Sequence, residues 1–142
     1  MAELRLPPAA ESVPAARRFA RNQLRDSSCD TETAALLVSE VVTNAVLHGR
    51  SDVLLVVEDR GASAYVSVSD TSPMPPRVHN FAVESATGRG LRLVDQLAQR
   101  WGVDAAASGK GKVVWFEVGE PSAAAWESFA DTLLAEGAPG DL

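Results

Sequence analysis

At 142 residues the chain is long enough to bury a core without disulfide or metal staples, and it reads as one domain over 1–142 with a frayed tail from about 136. Hydrophobic residues make up 46% and charged residues 23%, which excludes a disordered chain, and no apolar run approaches the roughly 20 residues that a membrane span requires. A formal charge of −6, from 19 acidic against 13 basic residues, argues against nucleic acid and against anionic lipid as partners. No basic stretch followed by an apolar core opens the chain, and the single cysteine, Cys29, cannot close an internal disulfide, so a cytoplasmic setting is expected.

Leu4 and Leu6 alternate with charged residues before Pro7-Pro8, the pattern of a short edge strand. Ser12 is placed to cap a helix whose apolar positions Val13, Ala16, Phe19, Ala20 and Leu24 fall at helical spacing. A second helix is predicted over 30–48, capped by Asp30 or Thr31 and stopped by Gly49. The β-branched runs 53–58 and 62–70 flank Asp59-Arg60-Gly61, a hairpin signal. Residues 71–87 carry three prolines and form the longest predicted loop, a length that in small domains marks a functional or mobile segment. Leu91, Val94, Leu97, Ala98 and Trp101 then give one apolar helix face with Gly102 as C-cap. A hairpin of 103–107 with 112–118 follows around Ser108-Gly109-Lys110-Gly111, and a last amphipathic helix is predicted over 123–134. This order implies an α+β two-layer sandwich, with helices on one face of a mostly antiparallel sheet.

Three features stand out chemically. The second helix is apolar around most of its circumference, through Leu36, Leu37, Val38, Val41, Val42, Ala45, Val46 and Leu47, yet Glu40, Asn44 and His48 recur on it every fourth residue. At about 100° per residue these three form one polar stripe about 80° wide. A buried carboxylate needs a polar partner, which a metal and nucleotide would supply, although a neighbouring loop would serve as well. Alternation places Asp70 on the same strand face as Ala64, Val66 and Val68, the face that points to the core. There its carboxylate could accept hydrogen bonds from an exocyclic amine such as that of adenine, or it could simply end the strand. Finally, Thr87-Gly88-Arg89-Gly90-Leu91 leads straight into a helix. Two glycines allow close backbone approach, and a helix N-terminus offers unpaired N–H groups to phosphate, though a lone Gly-x-Gly is more often a turn.

The run 40–49, Glu-Val-Val-Thr-Asn-Ala-Val-Leu-His-Gly, resembles the N-box of the GHKL group, the ATP-binding fold shared by histidine kinases, gyrase-type topoisomerases, MutL-type repair proteins and heat-shock chaperones. Asp70 with Ser72-Pro73 resembles a divergent first glycine box, and 88–94 the second, in the family's order and across about residues 4–118. A free-standing domain of this length is most similar to the anti-sigma-factor serine kinases, particularly the stand-alone actinobacterial members. The resemblance implies a Bergerat-type fold, ATP and Mg²⁺ as cofactors, a sigma factor and an anti-anti-sigma (STAS-type) protein as partners, and a homodimer. It also implies Glu40 as general base, Asn44 as ligand of Mg²⁺, Asp70 as adenine reader, and Thr87, Gly88, Arg89, Gly90 and Leu91 as the phosphate segment; His48 lies in the motif without an assigned role. Ser72 stands where the first glycine box normally has glycine. That departure leaves open a second reading, a module that keeps the fold and sequesters a partner without ATP turnover.

Overall fold

The computed structural model describes residues 1–48, 51–70, 90–105 and 111–122, together with Glu127 and Ala130. Its sheet begins as a meander. Strands β1 (Ala2–Leu6), β2 (Val53–Asp59) and β3 (Ala64–Asp70) pair antiparallel, and a second hairpin of β4 (Arg100–Ala105) and β5 (Lys112–Val118) joins them through β5. The spatial order is β1-β2-β3-β5-β4, so the last strand in sequence lies beside β3 and β4 forms the edge. β1 is the other edge, as its short alternating pattern and following prolines imply.

Along β3 the residues alternate between buried and half-buried, with Ala64, Val66, Val68 and Asp70 all on the buried side. That side is covered by helices α1 (Ser12–Gln23), α2 (Thr31–His48) and α3 (Gly90–Leu97), giving the two-layer α+β architecture. Phe116, Leu24, Leu37, Leu55 and Val94 are among its fully buried side chains, each worth roughly 1.5–3 kcal/mol of transfer free energy. α1 and α2 run antiparallel, tied by Arg17 to Ser39 Oγ and by Arg21 to Glu32.

Local capping is partly as the residues predict. Asp30 caps α2, its Oδ1 accepting from the Thr33 N–H at 3.1 Å. Ser12 does not cap α1. It is the first helical residue, and its hydroxyl instead donates to the Pro7 carbonyl at 2.6 Å, clipping the β1–α1 connection. The helix predicted to continue through Trp101 ends at Leu97, and Gly102 is no C-cap: both residues belong to β4. The cause is non-local. Gln99 N–H donates to Glu117 O, and β4 then pairs with β5, placing Trp101 opposite Phe116 and Gly102 opposite Trp115. A Cβ at Gly102 would lie 2.8 Å from the Trp115 indole nitrogen, so the glycine is there for the ring.

On the face of the sheet away from the helices, Trp115 stacks on Tyr65 with ring centroids 6.1 Å apart and donates to Asp104. Arg60 lies over Tyr65 and, with Arg100, grips Glu117, whose side chain is 8% exposed. Its hydrogen bond to Glu58 raises the already high pKa of Arg60. The predicted loop over 71–87, the stop at Gly49, the turn at 108–110, the tail, and the last helix apart from Glu127 and Ala130 lie outside the described residues.

Candidate functional site

The polar stripe of α2 has graded burial. Asn44 is 3% exposed, while Glu40, one turn earlier, is half-buried rather than buried. Among the described residues Glu40 has no hydrogen-bond or ion-pair partner. Leu47, counted with the apolar circumference, is in fact 58% exposed. His48 ends the helix, and its side chain lies outside the described residues.

Strand register decides where the stripe leads. Leu6 pairs with Val53, Val53 with Asp70, and Ala105 with Lys112, so these residues mark one end of the sheet. At the opposite end the start of α2 is pinned, by Asp30 N–H on Gly119 O and by Ser28 N–H on Gly61 O. α2 therefore runs toward the Asp70 end, carrying Asn44 and His48 with it. α3 packs beside α2 and runs the other way, because the residue two beyond its last turn, Gln99, is bonded to Glu117. The N-terminus of α3 thus points back toward the Asp70 end, and its first turn has N–H groups with no intrahelical acceptor. The three elements that carry the predicted motifs converge.

Within this region Gly90 is the first residue of α3. The side chain of Leu91 is 8% exposed and belongs to the core. Thr87, Gly88 and Arg89, with Ser72 and Pro73, lie outside the described residues. Asp70 is 3% exposed and faces the helices, as strand alternation predicts. One of its partners is a residue the sequence did not single out. Lys112 Nζ donates to Asp70 Oδ2 at 2.8 Å and Lys112 N–H to Oδ1 at 3.3 Å.

A cleft of about 270 Å³ between the start of α2 and the end of α3, lined in part by Asp30, Thr33, Gln96 and Gln99, is at the far end of the sheet and includes none of the predicted site residues. Among the described residues no cluster of three His, Cys, Asp or Glu side chains could hold a metal by itself, and no helix is long and apolar enough to cross a membrane.

The site thus joins a buried carboxylate, a half-buried carboxylate one turn from a buried carboxamide, and the N-terminus of α3. No curated protein sequence matches the chain significantly. The family model for the histidine kinase-like ATPase domain matches residues 6–118, from the last residue of β1 through the whole of β2, β3, β4 and β5. The chain belongs to the histidine kinase-like ATPase domain family, a family of ATP-binding domains.

Proposed function

We propose that this chain is an ATP-dependent protein serine kinase of the anti-sigma type, which phosphorylates an anti-anti-sigma partner and sequesters a sigma factor. The observation that carries the reading is the convergence of Asn44, Asp70 and the start of α3 on one end of the sheet, with Glu40 one helical turn behind Asn44. Asp70 takes the exocyclic amine of adenine, and the first N–H groups of α3, with Thr87, Gly88 and Arg89 before it, take the phosphates. Asn44 offers a carboxamide oxygen to Mg²⁺. One protein oxygen would suffice to hold this ion, which nucleotide sites bind through few protein groups. When bound, it neutralises charge on the β- and γ-phosphates.

Glu40 accepts the proton of the partner's serine hydroxyl as that oxygen bonds to the γ-phosphorus. The bond from the γ-phosphorus to the bridging oxygen breaks, and ADP leaves. A half-buried carboxylate without a partner among the described residues is suited to that work, because no existing ion pair has to be broken first.

One observation favours the second reading, a sequestering module without turnover: the Asp70 carboxylate already carries an ammonium group. Incubation with labelled ATP, Mg²⁺ and candidate anti-anti-sigma proteins separates the two. Label should pass to a serine of the partner. Tight ATP binding with no transfer to any such partner selects the second reading, and an absence of ATP binding overturns the first.

A further inference from the structure

The cleft at the end of the sheet away from Asp70 is built from three segments that the main chain ties together. Asp30 N–H donates to Gly119 O at 2.7 Å and Gln99 N–H to Glu117 O at 2.8 Å, so the start of α2, the exit from β5 and the residues after α3 share one rim. Between them lies a space of about 270 Å³, with the buried side chains of Leu97 and Val118 in its lining.

Two polar side chains of that lining are unmatched. Thr33 is 3% exposed; its main-chain N–H is taken by Asp30 Oδ1, and its hydroxyl has no hydrogen-bond partner among the described residues. Buried polar groups are nearly always paired, so an unpaired hydroxyl at the wall of a cleft marks where a polar molecule enters. Gln99 lies against the Gly119 main chain, where a Cβ would come within 2.3 Å of its Nε2, and its carboxamide has no hydrogen-bond partner either among the described residues.

The charge of the lining selects the molecule. Asp30 and Glu120 supply carboxylates, and none of the described residues around the cleft is an arginine, lysine or histidine. The N-terminus of α2 would ordinarily draw an anion, but Asp30 caps it. α3 meets the cleft with its C-terminus, the negative end of a helix dipole. The lining therefore disfavours an anion and favours a cation. No group of three metal-ligating side chains is present among the described residues, whereas an alkylammonium fits what is there. Its N–H groups can donate to a carboxylate and to the Thr33 hydroxyl oxygen while its hydrocarbon part lies on Leu97 and Val118.

We propose that this cleft is a second binding site, for a small organic cation of the alkylammonium class, with Thr33 and Glu120 as its recognising residues. It shares no residue with the nucleotide site, and its failure would leave the reading of that site untouched.

An NMR titration of the isotope-labelled full chain tests it, with 1,4-diaminobutane as probe and 1,4-butanediol and succinate as neutral and anionic counterparts. The diamine should give saturable shifts confined to the amides of Thr33, Gln99 and residues 118–120, and neither counterpart should. Glu120→Gln, at an exposed position, should weaken diamine binding about 2- to 5-fold, as expected for a solvated ion pair. Thr33→Val keeps the shape, removes the hydroxyl and should weaken binding about 10-fold, the loss typical of a hydrogen bond to a charged group. Equal shifts with the diol would mean that charge plays no part. Shifts scattered over acidic residues elsewhere would mean a loose counterion on a chain of net charge −6. Either result overturns the proposal, as does a chain that ignores the diamine, and these comparisons need no variant to fold. Undiminished affinity in Glu120→Gln overturns it as well.

Discussion

Glu40 and Asn44 are one helical turn apart, yet the proposed chemistry asks different things of them, and substitution should separate the two. Asn44→Ala removes the oxygen offered to the metal and should abolish Mg²⁺-dependent ATP binding with the circular dichroism spectrum unchanged; undiminished affinity in calorimetry takes Asn44 out of the site. Glu40→Ala should bind ATP about as well as the parent and lose transfer by about 100- to 10,000-fold, since a general base acts in the transition state. A variant that phosphorylates its partner at the parent rate contradicts that role. Gly111→Ala meets both a positive φ and the Asp70 carbonyl, and should cost about 1–3 kcal/mol in denaturant unfolding while weakening ATP binding. The burial of Asp70 was legible from simple alternation in its strand. Its bond to Lys112 was not, because a pairing across 42 residues leaves no mark in local composition.

The same division holds for the elements. β1, β2, β3 and β5 announce themselves through alternation and turn residues, and α2 through its length, its Asp30 cap and its apolar circumference. The end of α3 does not, because Leu91, Val94, Leu97, Ala98 and Trp101 keep helical spacing straight across the break. What stops the helix is the partner strand β5, which captures Gln99 and then Arg100 to Ala105. Ser12 misleads in a similar way, since the carbonyl that takes its hydroxyl belongs to Pro7, before the helix. Gly102→Ala should force the Trp115 ring off its stack with Tyr65 and its bond to Asp104, costing about 1–3 kcal/mol in chemical denaturation. A denaturation midpoint equal to the parent's would mean that the ring moves freely there. Arg60→Ala combined with Arg100→Ala leaves the buried Glu117 carboxylate without either guanidinium. Because both arginines are substantially exposed, solvent screens much of each pair, and the midpoint in chemical denaturation should fall only modestly.

At the scale of the whole molecule, a ligand that binds only the folded chain must stabilise it. With ATP and Mg²⁺ at about 100 times the dissociation constant the gain is about 2.7 kcal/mol, or roughly 5–10 °C in Tm for a domain of this size. A flat thermal response at saturating nucleotide contradicts the proposed site. The sheet order has a further consequence for how the chain comes into being. During synthesis β1, β2 and β3 emerge well before β5, and until then β3 presents an unpaired edge of the kind that invites association with other chains. β4 cannot cover that edge, since among the described strands it pairs with β5 alone. The growing chain thus depends on its last strand both to protect the middle of the sheet and to bring Lys112 to Asp70. A nascent chain halted near residue 105 would be sticky and would leave the Asp70 carboxylate without its ammonium at once, so the buried charge pair would arrive in the same step as protection from aggregation.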